Sequence, residues 1–105
     1  MNTTIYNTSA NSQNVIFFAK EDIGKLIFPK EDVLLHHKEQ QKERLQMLIR
    51  AMYLGKEKIK VRILFQDTTG EKIVETTIWG VSEKYILLKG TTTLPIRCIH
   101  QIIFY

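Results

Sequence analysis

The sequence predicts an α+β fold, an N-terminal helix followed by a five-stranded, antiparallel, strongly bent sheet, and three observations predict it. From Val33 to Leu54 there is neither Gly nor Pro, and Leu45, Leu48, Ile49 and Met52 recur at i, i+3, i+4 and i+7, the pattern of one buried helical face. After Gly55 the hydrophobic period changes to two and the residues become β-branched and aromatic. Turn-forming residues then punctuate the chain often enough to cut it into five short strands. A length of 105 residues supports one core, and 44% hydrophobic with 25% charged residues argues against wholesale disorder.

Residues 1–14 are rich in Asn, Thr and Ser and poor in hydrophobes, so a flexible polar tail is expected there. Residues 15–30 are too apolar for a linker, with Phe17, Phe18, Ile23, Leu26, Ile27 and Phe28, and are expected to pack on the domain or on a partner. The remainder, 31–105, is expected as a single domain with a helix over 31–54 and strands over 56–105. Pro29 followed by Lys30, Glu31 and Asp32 predicts the helix entrance, because acids in a first turn oppose the positive end of the helix dipole. Gly55 is expected to stop the helix. The polar stretch His36–Arg44 leaves two alternatives, a helix projecting into solvent or one broken in two.

Ile59, Val61, Ile63 and Phe65 alternate with Lys58, Lys60, Arg62 and Leu64, which predicts a strand with one apolar and one largely basic face. Asp67-Thr68-Thr69-Gly70 supplies the hairpin turn, with Gly70 free to take positive φ. A bulged register sets Phe65 opposite Ile73 and Ile59 opposite Trp79, and leaves Glu75 against Ile63. A shift of one instead pairs Glu75 with Arg62. Further strands are expected over Tyr85–Lys89, Thr93–Ile96 and Gln101–Phe104, with a tight turn at Arg97–His100 before the last.

The hairpin IKVRILFQDTTGEKI, the pair TTIWGVSEKYILLKG and the closing LPIRCIHQIIF together resemble the small β-barrel of Sm-like and other SH3-like proteins, over residues 44–105. The closing segment is similar to the Ile-Arg-Gly segment and following Ile of Sm-like proteins, with Ile96-Arg97-Cys98 and Ile102 in those places and cysteine standing for glycine. The acidic residue of the first Sm motif falls on Val81 and its Met-Asn pair on Lys84 and Tyr85, so the resemblance carries over Arg97 alone. The chain also resembles Rof-type inhibitors of the Rho terminator, which place a helix before a similar barrel. These resemblances imply a bacterial protein and an Sm-like or SH3-like five-stranded small β-barrel behind the helix.

Net charge is +4, and its excess is local: Lys56, Lys58, Lys60 and Arg62 stand against Glu57, while the rest of the second half balances. Such a stripe suits phosphate contacts, and it equally suits a solvated strand edge guarded against aggregation. The leading functional expectation is a non-enzymatic binding module for single-stranded nucleic acid. Lys56, Lys58, Lys60, Arg62 and Arg97 would lie against phosphate, and Tyr85 would stack on a base. The alternative is a protein-interaction or homo-oligomeric module using the helix and residues 15–28. An exposed face shared by aromatic and basic side chains favours the first, and an exposed Leu/Ile/Phe patch the second.

No catalytic residue, metal or cofactor is expected. His36 and His37 are adjacent, about 100° apart on a helix, whereas shared metal ligands prefer i, i+4. Cys98 near His100 could suggest a nucleophile and base, but a lone cysteine among apolar neighbours reads as a small buried hydrophobe. Trp79 is expected in the core, with a stacking platform as the alternative. Apolar runs such as Val15–Ala19 are far shorter than the roughly 20 residues of a membrane span, so no membrane partner is expected. With no signal-peptide pattern and a single cysteine, a cytoplasmic address follows.

Overall fold

The computed structural model describes residues 5–7 and 14–105, with side chains from residue 16 onward. In chain order it contains β1 (Ile5–Asn7), β2 (Asn14–Phe17), a 3-10 helix (Lys20–Lys25), α1 (Lys38–Lys56), β3 (Val61–Asp67), β4 (Gly70–Thr76), β5 (Ile78–Val81), β6 (Tyr85–Leu88), β7 (Thr93–Pro95), a 3-10 turn (Ile96–Cys98) and β8 (Ile99–Ile103). The strands form a five-stranded sheet, ordered β1-β2-β4-β3-β8, and a three-stranded sheet, ordered β5-β6-β7. The expected flexible tail lies largely outside the described residues; within it, Ile5–Asn7 pairs antiparallel with β2.

The α+β class stands, but an N-terminal helix followed by a five-stranded, wholly antiparallel small β-barrel of Sm-like or SH3-like type is corrected. The helix is in mid-chain, the strands fall into two sheets, and these do not close into a barrel. Two features account for this. The chain leaves the first sheet at Thr77, so that what reads as one strand is divided into β4, paired with β3, and β5, paired with β6. The other edge of β4 is taken by β2, which runs parallel to it with Phe17 opposite Ile73. Residues 15–18 thus cover a sheet edge whose bare amides would otherwise be open to another chain.

The hairpin takes the register that pairs Arg62 with Glu75. Asp67 faces Gly70 across a two-residue loop, and Gly70 has a positive φ of 143°. The buried Asp67 carboxylate closes this loop by accepting from the Thr69 and Gly70 amides, the Thr69 hydroxyl and Lys72 Nζ. Its burial raises the proton affinity, and those bonds overcome the effect and hold the carboxyl below its usual range.

The helix also differs from expectation at both ends. It begins at Lys38 rather than 31, after a turn at residues 33–36 in which Asp32 accepts the Leu34 amide and Gln41 Nε2 donates to the Leu34 carbonyl. Glu31 and Asp32 therefore do not sit in its first turn. Gly55 lies inside the helix, and its lack of a side chain admits the Ile78 carbonyl oxygen, with which a Cβ there would clash. The stop is instead a Schellman-type closure: the Lys58 amide donates to Gly55, the Ile59 amide to Leu54, and Lys58 takes a left-handed φ of 63°.

This close approach rotates the helix. It rests on Leu48, Ala51 and Gly55, leaving Leu45 and Ile49 of the expected face exposed. Leu48 joins Ile23, Phe65, Ile78, Ile86 and Ile99 in the main core, each fully or almost fully buried. Burial of each such side chain stabilises by about 1.5–3 kcal/mol. On the opposite face of the first sheet, Leu64 and Ile73 form a second cluster covered by Phe17 and Ile103.

Candidate functional site

The six residues singled out from the sequence fall in three places. Lys56 ends α1 with its ammonium 4.8 Å from the centroid of the Tyr53 ring, and Lys58 and Lys60 lie in the exposed connection to β3. Arg62, half-buried in β3, donates from Nε to Glu75 Oε1 at 3.1 Å and stacks over Phe17 and Tyr105. Arg97 and Tyr85 belong to a third region, at one end of the small sheet.

The stripe is therefore not one basic strand face. The strand starts only at Val61, and Leu64, which shares the Arg62 side of it, is buried under Phe17. Of the four bases only Arg62 is on the strand, and its charge is engaged. Hydrogen bonds from the Tyr105 hydroxyl and then from Arg62 hold the Glu75 carboxyl below its usual range, so the pair remains ionic near neutrality.

Around Arg97 the tertiary structure assembles a cleft of about 500 Å³ between residues 30–32, the β5–β6 turn and the 3-10 turn. Its charged lining comprises Lys30, Asp32, Arg44, Glu83, Lys84 and Arg97. Backbone bonds fix its walls: the Ile96 amide donates to the Lys84 carbonyl and the Val33 amide to the Arg97 carbonyl. Arg97 Nε donates to the Pro29 carbonyl at 2.7 Å, which orients the guanidinium along the rim.

Asp32 and Arg44 neutralise each other at the cleft's base. Arg44, only 6% exposed, reaches Asp32 Oδ1 at 2.8 Å and Oδ2 at 2.6 Å and also donates to the Ile99 carbonyl. Burial raises the Asp32 proton affinity, and the Arg44 and Leu34 hydrogen bonds more than offset it, so the carboxyl is held below its usual range. Lys30, Lys84 and Arg97 then stand against Glu83 alone. The sequence reading missed Lys30 and Lys84; Lys84 carried a signal, its place in the turn just before Tyr85.

Tyr85 and Leu87 alternate along β6 with the buried Ile86 and Leu88, and so face away from the core. Trp79 corrects the expectation of a core residue: it is 51% exposed. The ladder shifts register between Ile78 and Gly80, and Trp79 is the extra residue of that bulge, turned out of the core that Ile78 enters. Glycine after tryptophan within a strand was the available sign of it. Tyr85 is 45% exposed, so the small sheet presents two open aromatic rings.

Elsewhere, His36 lies in the turn before α1 and His37 caps it, both exposed, so neither is on the helix as expected. Among the described residues no group of three or more His, Cys, Asp or Glu is placed to hold a metal ion. Cys98 is buried, and burial pushes its thiol up to about 12. His100 sits against Gln66, with Nε2 2.8 Å from Oε1. No helix among the described residues is long and apolar enough to cross a membrane. No family model, no curated protein and no solved structure matches the chain.

Proposed function

We propose that the protein is a non-enzymatic binding module for single-stranded nucleic acid, of weak and sequence-independent affinity, acting in a cytoplasmic setting. One observation carries the reading: Trp79 and Tyr85 stand half exposed on the small sheet whose β5–β6 turn bears Lys84 beside Lys30 and Arg97. Exposed rings accept any base, since every base has a π-face, and a stacked base contributes about 1–3 kcal/mol. The three cations would follow the backbone, each phosphate contact adding roughly 0.7 to the salt slope on a single strand. Relative to the sequence expectation, Arg97 and Tyr85 keep their roles, while Lys56, Lys58 and Lys60 become peripheral contacts and Arg62 a structural one. A thiol as weakly acidic as that of Cys98 is protonated at neutral pH and is unsuited to nucleophilic attack, which supports a non-catalytic role.

Trp79 is the sole tryptophan, so its emission reports stacking directly. Titration with unlabelled oligo(dT) and oligo(U) at low salt is expected to quench it, with the quenching reversed by added salt. Unchanged emission, together with no anisotropy change of a labelled oligonucleotide, would remove the proposal.

A second reading, a protein partner or a second copy of this chain, is favoured by the exposed row Leu45, Ile49 and Tyr53 along α1. These residues are spaced at i, i+4 and i+8, one continuous helical ridge. Concentration-dependent association that Ile49→Lys abolishes would support it.

A further inference from the structure

We propose that the outer face of α1, resting on the second reading of its ridge as a protein contact, docks an acidic amphipathic helix of another protein. α1 is seated on the domain through Leu48, Ala51 and Gly55, which turns the opposite side of the helix to solvent. At about 100° per residue, Lys38, Lys42, Leu45, Ile49, Tyr53 and Lys56 fall within a strip about 80° wide along that side. All six are exposed.

The strip has a definite charge pattern. Its three apolar side chains lie at i, i+4 and i+8, with Lys38 and Lys42 before them and Lys56 after. No acid falls within it, since Glu39 and Glu43 turn toward the flank that carries Arg50 and Glu57 lies past the helix end. Among the described residues none of the three lysines is ion-paired. The Lys56 ammonium instead lies 4.8 Å from the centroid of the Tyr53 ring and continues the ridge.

The complement of this strip is an apolar stripe bounded at both ends by Asp or Glu. A row at i, i+4 and i+8 is the ridge that enters the groove of a second helix, and cations in line with it meet acids at the rim of the contact, where they favour the right partner. A second copy of this chain does not supply that complement. Symmetric antiparallel pairing centred on Ile49 sets Lys42 against Lys56 of the second copy twice, and parallel pairing sets each lysine against itself, so either one juxtaposes like charges. A bilayer fits no better. Burying Ile49 in hydrocarbon draws in Lys42 and Lys56 along the same line, whereas interfacial helices keep their charges on a separate polar face. Leu45 and Ile49, at the centre of the strip, offer no ring on which a base could stack, which disfavours nucleic acid there.

Selection of helical peptides from a randomised displayed library on the immobilised full chain tests the pairing. Expected are sequences with Leu, Ile or Phe at helical spacing and Asp or Glu on both sides, whose affinity falls about tenfold with Ile49→Ser, as for a residue at the centre of a contact. The double variant Lys42→Glu/Lys56→Glu should lose the same peptides and, on reselection, take basic ones. These positions are all exposed, so the variants should fold, and thermal melts followed by circular dichroism check that. No enrichment, or enriched peptides that bind Ile49→Ser as well as the parent, would remove the ridge as a protein contact and this proposal with it. Neutral or basic peptides that need Ile49 would keep the contact and overturn the acidic partner. Self-association in sedimentation, binding to phosphatidylglycerol vesicles or binding to oligo(dT), if Ile49→Ser abolishes it, would each put another occupant on the strip and overturn the proposal.

Discussion

The two sheets use charge in opposite ways. Along the five-stranded sheet and the segment packed on it, charges meet within the molecule: Arg44 on Asp32, Lys72 on Asp67 and Arg62 on Glu75. The Arg44 and Arg62 pairs join separate elements and fix one part of the fold against another, and the Lys72 pair closes the β3–β4 turn. Along the three-stranded sheet, Lys84 and Lys89 have no ion-pair partner among the described residues, and the aromatic side chains face out. The first arrangement specifies a structure, and the second leaves charge and π-surface available to a ligand. Stability and binding should therefore respond to different residues.

The largest effect is expected at the base of the first region. Arg44→Ala leaves the Asp32 carboxylate half-buried without its bidentate partner, and loss of one member of such a pair costs about 3–5 kcal/mol. Denaturant unfolding checks it, and the double variant Arg44→Met/Asp32→Leu should recover much of the loss. A midpoint that barely moves in the single variant would mean that the contrast between the sheets has been overdrawn.

Next comes the helix contact. Gly55→Ala places a methyl 2.0 Å from the Ile78 carbonyl, and α1 must lift from β5 to accommodate it. Overpacking against backbone costs about 1–3 kcal/mol, and this clash belongs at the upper end. Because β5 carries Trp79, the same change should alter tryptophan emission in the folded state, which separates displacement of the sheet from simple destabilisation.

Replacing either exposed ring should reverse the balance. Trp79→Ala and Tyr85→Ala are each expected to weaken oligonucleotide binding by about 1–3 kcal/mol, measured by anisotropy. Their unfolding midpoints should correspond to losses under about 1 kcal/mol, because the rings are already half in water. If stability falls further than binding, the rings are structural and the small sheet is not the binding face.

A smaller gain is expected from Lys58→Gly. The left-handed conformation that closes the helix costs a side-chain-bearing residue about 1 kcal/mol, and glycine relieves it. The thermal midpoint should rise while oligonucleotide binding hardly changes, since Lys58 is not among the charges that line the cleft around Arg97.

The smallest effect concerns pH. Burial pushes the His100 imidazole below its usual value of 6.5, with Glu71 opposing and Arg44 reinforcing the shift. A folded value below the unfolded one means that the unfolded chain binds more protons, so stability present above pH 6.5 is lost as pH falls through the folded value. Comparison of His100→Gln with the parent between pH 7 and 5 should show a flatter stability profile for the variant over that window. Identical profiles would assign the acid response to other groups.

Some of this was legible in the residues alone. The change of period at the end of α1, Leu48 on its buried face, and the Asp67–Gly70 turn follow from local sterics and side-chain spacing, which a sequence carries directly. Glu75 against Arg62 was one of two registers, and cross-strand charge complementarity marked it. Local rules failed wherever a distant element decided the outcome. Asp32 reads as a helix-entrance acid, yet Arg44, twelve residues on in the second turn of α1, claims its carboxylate. Gly55 reads as a stop, yet it is the contact that lets α1 settle on Ile78, and that contact turns Leu45 and Ile49 out to solvent. Trp79 reads as core because large aromatic residues usually are, yet a one-residue bulge turns it outward. The run from Lys56 to Arg62 reads as a basic face, yet Phe17, brought in by β2, covers the strand beside it. In this protein the sequence by itself determined that the chain coils ahead of Gly55 and extends in short strands after it, because those choices depend on each residue and its near neighbours, whereas the strand Asn14–Phe17 and the start of α1 at Lys38 did not follow from it. Which side chains are left for a ligand was decided only by the tertiary structure, because exposure is set by whatever else packs against the same face.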